Sequence, residues 1–329
     1  MVRRILEANS FRLQNHFPRG DAGFDFVGRV ADEDWAIEVK YYRTARAQPT
    51  LIESAAARVV NDGKGAQLRK GMLVISCILP LSMRPALERK FGITILDRGD
   101  LRNWATADPS LVDELDAIVE SRQGLSINAQ ETRADPLSKT MSLEGVASPP
   151  QESRGAQLCD ELDRVKRGKE AWAAYEGLCT RILEYLFPND LHGWHKQKRT
   201  DDGLNRFDFV CRVRPTTDFW NFLIEHLDSR YVLFEFKNYT GKIKQGQILT
   251  TEKYLLERGL RKVALVFTRG GAEKDAMKMT QGAMREHGKL MLVLDDAQIC
   301  KMLNMKDRGE DPSDLLFDLT DDFLLSLPR

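Results

Sequence analysis

The chain of 329 residues lacks a net charge: Lys plus Arg and Asp plus Glu number 49 each. That balance excludes a wholesale basic coat of the ribosomal or histone kind, so contact with a polyanion must come from where charges sit. Cysteine is scarce and scattered, at 77, 159, 179, 211 and 300, with no C-x-x-C pair. A zinc site has no ligand spacing to start from, and the expectation is buried, reduced thiols in a cytoplasmic protein. Long apolar runs are missing too, and Met1-Val2-Arg3-Arg4 turns polar before a signal-peptide core can form. The sequence therefore predicts neither a membrane span nor a leader. His16, His192, His195, His226 and His287 have no metal-ligand spacing. With no G-x-G-x-x-G or Walker pattern, Gly270-Gly271 reads as a turn and implies no nucleotide cofactor.

What is present is an ordinary globular composition, 42% hydrophobic and 30% charged, at a length that suits two domains. Between 121 and 158 the apolar periodicity fades through Ala134-Asp135-Pro136 and Ser148-Pro149-Pro150. Such a stretch buries too little surface to repay ordering and reads as a linker between domains 1–120 and 159–329.

The two halves repeat one another. Phe24-Asp25-Phe26-Val27-Gly28-Arg29-Val30 returns as Phe207-Asp208-Phe209-Val210-Cys211-Arg212-Val213. Each copy leads into an apolar run that ends acid-x-lysine, Ile37-Glu38-Val39-Lys40 and Phe234-Glu235-Phe236-Lys237. Periodicity predicts in the first half a helix over 3–17, strands near 24–30 and 35–40, and a helix near 48–60. A strand at 72–78, a helix at 83–90 and a strand at 92–96 complete it. The second half predicts a helix over 169–187, strands at 206–213 and 231–237, and a helix over 244–258. A strand at 262–268, a helix over 273–287, a strand at 289–294 and terminal helices follow. The last strands echo one another, Leu96-Asp97 with Asp100 matching Leu294-Asp295 with Gln298. Shared register over whole halves points to a tandem duplication. An insertion over 214–230 lengthens the hairpin of the second copy, and Glu225 and Asp228 in it read as surface helix residues.

The predicted class is α/β, with a central mixed sheet flanked by helices in each half. Glu38 and Lys40, two apart on a strand, project to one side, as do Glu235 and Lys237. Asp25 and Asp208 fall on the neighbouring strands. Two converging carboxylates repel unless a cation neutralises them, and hard oxygen donors suit Mg²⁺, with Mn²⁺ able to substitute. A lysine beside them contacts a phosphate or helps position water. One isolated E-x-K is weak; two, each with an upstream aspartate and a following helix, are hard to assign to chance. Lys196, Lys198 and Arg199 before the second motif strand, and Lys242 and Lys244 after Lys237, suit a phosphate track. Trp194 suits a stacked base, whereas Trp35 reads as core.

These residues resemble the PD-(D/E)XK, or restriction-endonuclease-like, nuclease superfamily, in two copies covering nearly the whole chain outside the linker. The proline of the motif is absent from both, replaced by Phe24 and Phe207. The resemblance implies that Asp208, Glu235 and Lys237, and likewise Asp25, Glu38 and Lys40, form metal-dependent hydrolytic sites. It implies an additional acid on the first helix of each copy, Glu176 and the less well placed Glu7. It further implies substrate contacts from Gln48 and Gln245 on the following helix, with Gln247 an open alternative. The implied activity is Mg²⁺-dependent endonucleolytic hydrolysis of DNA, with RNA left open, in prokaryotic restriction or anti-phage defence. A targeting or regulatory protein encoded nearby and a homo-oligomer also stay open. The rival expectation is a non-catalytic nucleic-acid-binding or assembly subunit of a defence complex that keeps a degenerate nuclease fold.

Overall fold

A computed structural model describes residues 1–15, 23–44, 47–80, 83–120, 137, 142–147, 153–196 and 208–328. Two compact units emerge, Met1–Glu152 with Arg308–Glu310, and Ser153–Asp307 with Asp311–Arg329. Most of the stretch read as linker, 121–158, lies outside the described residues, and two parts of it are placed. Leu143, in a 3₁₀ turn at Leu143–Gly145, is fully buried in the first unit. A helix begins the second unit at Arg154 and buries Leu158 and Leu162. Two leucines at helical spacing among charges were enough to dock it, though too few to stand out from their neighbours.

The first unit runs α1 (Val2–Ala8), β1 (Arg12–Asn15), β2 (Phe26–Val30), β3 (Glu33–Lys40), α2 (Pro49–Gly65), β4 (Lys70–Ile75), α3 (Met83–Phe91), β5 (Thr94–Leu96), α4 (Arg98–Ala105) and α5 (Pro109–Glu120). The second runs α6 (Arg154–Arg164), α7 (Trp172–Leu186), β6 (Leu191–Lys196), β7 (Phe209–Val213), α8 (Asp218–Glu225), β8 (Tyr231–Lys237), α9 (Gln245–Tyr254), β9 (Val263–Thr268), α10 (Lys274–His287), β10 (Leu290–Leu294), α11 (Asp296–Asp307) and α12 (Ser313–Leu325). Each unit holds one five-stranded mixed sheet in sequential strand order. Its first three strands are antiparallel and its last three parallel, with the central strand shared. The predicted α/β class with helices on both sheet faces is what the chain adopts.

The central strand explains itself. Tyr231–Lys237 is nearly continuous apolar sequence because parallel strands are covered on both faces. Phe234 and Phe236 join the core beneath α6, α7, α8, α11 and α12, while Leu233 joins the core beneath α9 and α10. Leu233, Glu235 and Lys237 share a face by strand alternation, so the acid and the lysine lie on the α9 side. In the first unit Glu38 and Lys40 pair in register with Leu73 and Ile75, which belong to the core beneath α2 and α3. Both motifs therefore occupy the face covered by the helix that follows them.

Four expectations need correction. The helix read over 3–17 stops at Ala8, because Ser10 takes a left-handed backbone (φ 70°) and the chain turns into β1; residues 16 and 17 lie outside the described residues. β6 was not read as a strand because Gly193 interrupts it, at φ 62°, where the pairing register shifts between His192 and His195. The insertion at 214–230 does lengthen the connection between the paired strands β7 and β8, but of the two residues read as surface helix only Glu225 is on its helix. α8 buries Phe219, Trp220 and Leu223, with Trp220 edge-on to Phe187 at 5.1 Å and to Phe219 at 4.9 Å. Asp228, at φ 50°, has already left that helix. Fourth, Cys159 on α6 and Cys300 on α11 form a disulfide with Cα atoms 5.3 Å apart, so two of the five thiols are not reduced. Cys77, Cys179 and Cys211 are free and buried. α6 packs lengthwise on α11, and the Asp307 carboxylate also accepts the Gly155 and Ala156 amides, each at 2.9 Å. The packing brings together cysteines 141 residues apart.

The repeated aspartates after the last strands have a structural explanation. Asp97 caps α4 by accepting the Gly99 and Asp100 amides, and Asp100 accepts the Asp97 amide in return. Asp295 and Gln298 exchange the same pair of bonds at 2.9 and 3.0 Å. Both are capping boxes, so this echo between the halves records helix starts rather than chemistry. Trp35 is buried in the core, as its sequence context suggests. Among the described residues no helix is long and apolar enough to cross a membrane.

Candidate active site

Strand register assembles the motif. Phe26 pairs with Ile37 and Phe209 with Phe234, antiparallel. One step earlier, Asp25 lies across from Glu38 and Asp208 across from Glu235. The aspartate then makes the same contact in both units: Asp25 Oδ2 accepts the Val39 amide at 2.7 Å, and Asp208 Oδ2 accepts the Phe236 amide at 3.0 Å. Each bond goes to the middle residue of acid-x-lysine, so the aspartate is clamped between the two functional side chains. One carboxylate oxygen is committed to this clamp.

The glutamate and lysine are paired. Lys40 Nζ lies 2.7 Å from Glu38 Oε1, and Lys237 Nζ lies 2.5 Å from Glu235 Oε2. Glu310, counted in the first unit, approaches Lys40 at 3.5 Å. Glu235 is only 2% exposed, and its Oε1 is buried without a hydrogen bond among the described residues. Burial is the largest influence on both glutamates. It lifts Glu38 above the usual carboxylate range despite Lys40, with Asp25 adding to the rise. Glu235 is pushed up to about 7, burial and Asp208 outweighing the pull of Lys237. Burial works against the charge of Lys237, but Glu235 and Asp208 more than offset it, and the ammonium titrates above its ordinary value. At neutral pH this lysine is therefore a cation, not a base.

The raised Glu235 has a thermodynamic consequence. In the unfolded chain a glutamate titrates near about 4.3. Between that value and about 7 the folded chain holds the extra proton, so folding loses stability as pH rises through this window. We expect the wild type to lose stability relative to Glu235→Gln between about pH 4.3 and about pH 7, with a flat difference on either side. Urea midpoints at pH 4, 5.5, 7 and 8.5 measure it; parallel curves would refute the assignment.

The other sequence candidates fall into three groups. Lys242, Lys244 and Gln245 are exposed after Lys237, and Lys244 lies 4.0 Å from Glu273. Gln48, at the matching position of the first unit, is buried at the start of α2. Gln247 is occupied in capping, its Oε1 accepting the Lys244 amide at 2.9 Å. Glu7 stands on an exposed face of α1 paired with Arg3 at 3.0 Å, and Glu176 lies half-buried on α7. Among the described residues no three His, Cys, Asp or Glu side chains gather as a metal-holding group, so neither helix acid is drawn into a three-ligand set. Lys196 ends β6, its backbone paired with Phe209 beside Asp208; its side chain, that of Trp194, and Lys198 and Arg199 lie outside the described residues.

Two neighbours of the sites were not anticipated. Arg58 on α2 lies close enough to Glu38 to favour its ionised form, and hydrogen-bonds Gly23 O at 3.4 Å. Tyr254 on α9 is raised by burial, then by Glu235 and Asp208. Both sit on the helix after the motif; only the packing of that helix over the strand reveals them. A cavity of about 420 Å³ in the second unit has other walls, including Asp163, Arg167, Arg269, Asp295 and the Cys159–Cys300 bridge.

No family model matches the chain, and no curated protein does. Among solved structures, the restriction endonuclease FokI is similar at 11% identity and a TM-score of 0.34. The similarity covers 83% of this chain and 48% of that one, so the chain spans about half the length of the structure it matches.

Proposed function

We propose that the chain is a metal-dependent phosphodiesterase, an endonuclease acting on DNA. The observation that carries this reading is the aspartate clamped to the amide between a buried glutamate and its paired lysine, made twice with the same bonds. Such an arrangement costs folding free energy, since it takes a carboxylate and an ammonium largely out of water together. Function is the economical reason to keep two of them.

Mg²⁺ fits these residues. It needs only one or two carboxylates, leaving its other positions to water and substrate phosphate. Asp208 and Glu235, and in the first unit Asp25 and Glu38, are the residues that would hold it; Glu235 Oε1, without a hydrogen bond among the described residues, is a donor of the right hardness. When bound, the cation supplies charge neutralisation at the phosphate and a lowered pKa for water. The protein's part is separate. Lys237, held protonated, binds a non-bridging phosphate oxygen and stabilises charge that develops there. The Phe236 amide fixes Asp208 and keeps its carboxylate facing Glu235. Lys242 and Lys244 neutralise flanking phosphates. A role in prokaryotic restriction or anti-phage defence, directed by a separate targeting protein, follows from the motif resemblance.

The rival, a non-catalytic nucleic-acid-binding or assembly subunit, has one observation in its favour: each glutamate is already neutralised by its own lysine. Incubating the full chain with supercoiled plasmid, linear duplex, single-stranded DNA and RNA separates the readings. The hydrolase should cut at least one of them with Mg²⁺ or Mn²⁺ and none with EDTA. Binding without cutting in every metal would leave the rival.

A further inference from the structure

Beyond each acid–lysine pair the chain presents a bare aromatic ring. Tyr239, two residues after Lys237, is 46% exposed; Tyr41, next to Lys40, is 56% exposed. An isolated exposed tyrosine is ordinary. These two differ because each stands beside a backbone position that is pinned. In the second unit Asn238 is buried, its side chain donating to Lys166 O at 3.0 Å and Gly168 O at 2.9 Å. Its own carbonyl accepts the Gly168 amide at 2.9 Å. In the first unit the Tyr42 amide donates to Ser76 Oγ at 2.7 Å, and that hydroxyl donates back to the Tyr42 carbonyl at 2.9 Å, while the Tyr42 ring is buried. The order differs, exposed then buried after Lys40 and buried then exposed after Lys237. The outcome differs with it: Tyr239 stands two residues from Lys237, the spacing that shares its side, whereas in the first unit the buried Tyr42 takes that place, packed with Leu73 and Ile75, and Tyr41 points away from it. In the second unit Thr240, Gly241 and Lys242 continue the exposed surface.

We propose that Tyr239 is a stacking platform for a base next to the scissile phosphate, and that the preferred substrate is a strand that is unpaired there. This deepens the hydrolase reading and rests on it. The chemistry follows from what each ring faces. A tyrosine offers a flat π surface that any base can cover, and stacking is tolerant of sequence. Inside a duplex those base faces are already covered by their neighbours, so only an unpaired or splayed base can use the ring. A pinned base lets the ring bind without first losing rotational freedom.

The test reads binding without cleavage. Fluorescence anisotropy of a labelled single-stranded deoxyoligonucleotide in EDTA, with the full chain, gives the affinity. Tyr239→Ala should weaken it about 5- to 100-fold, and Tyr239→Trp should preserve it. Strands with an abasic residue should bind the wild type more weakly by a similar factor, yet bind Tyr239→Ala no worse than intact strands. Blunt duplex should respond little. The inference is overturned if the wild type does not bind the single strand, or if Tyr239→Ala binds within two-fold of it. Equal losses on intact and abasic strands, or on strand and duplex, overturn it as well. A chain that stacks bases yet hydrolyses nothing keeps this inference and loses the hydrolase reading; one that hydrolyses while Tyr239→Ala binds normally does the reverse.

Discussion

Lys40→Ala and Lys237→Ala should each turn a chain that linearises supercoiled plasmid into one that stops at the nicked circle. On the proposed reading, two motifs in one polypeptide would supply one hydrolytic site per strand, where single-site enzymes must dimerise. Each lysine is paired with its own glutamate, so its removal strips a preorganised charge from the phosphate. Losing one such group typically slows chemistry by about 10²–10³. A plasmid cut at one site would then accumulate as nicked circle long before the second cut. The double variant should lose cleavage of both strands by at least that factor. Gel quantification of supercoiled, nicked and linear forms over time checks this. Full linearisation at the wild-type rate by either single variant contradicts the division of labour.

Arg269→Ala should be the most damaging substitution away from the sites. Its guanidinium side chain is 2% exposed and donates to Asp296 Oδ2 at 2.8 Å and to the carbonyls of Val165 and Leu162, each at 2.9 Å. It also reaches Asn238 Oδ1 at 3.4 Å and lies over the Tyr175 ring at 5.2 Å. Truncation leaves a half-buried carboxylate and two carbonyls short of their donor. Breaking a buried ion pair from one side costs about 3–5 kcal/mol, which for a unit of this size lowers the melting temperature by roughly 6–20 °C. Arg269→Lys should recover little, because one ammonium cannot fill four acceptors in the geometry of a planar fork. Differential scanning calorimetry reads the shift of the second unit's transition. A shift under about 2 °C would show that the fork holds nothing together. Asn238 directly follows Lys237, so the same variant should also disturb the Tyr239 platform.

The sequence made the sheet strands legible where burial was two-sided. Tyr231–Lys237 was readable to the residue because nothing polar interrupts it before Glu235. The acid–lysine geometry was readable too, since side chains two apart on a strand share a face and Asp25 and Asp208 sit one step before a paired register. Edge strands were not. β1 is Arg-Leu-Gln-Asn, with one buried leucine, and β6 contains a glycine at its bulge. Strands paired on one side only need fewer apolar residues and leave a weaker trace. A disulfide spanning 141 residues and the approach of Arg58 and Tyr254 depend on tertiary packing. Their residue types alone carry no signal. The helix acids Glu7 and Glu176 were suggested by the resemblance alone, and among the described residues neither belongs to a group of three metal-holding side chains.

The most direct test counts the cation itself. Mn²⁺ titrated into the full chain with a single-stranded oligonucleotide bearing phosphorothioate linkages can be followed by loss of the free-ion paramagnetic resonance signal. One ion per unit should be taken up by the wild type, and uptake should vanish in the Asp25→Asn, Asp208→Asn double variant while its melting temperature stays within a few degrees. Equal uptake by wild type and double variant, or no uptake by either, would contradict a cation seated between these carboxylates.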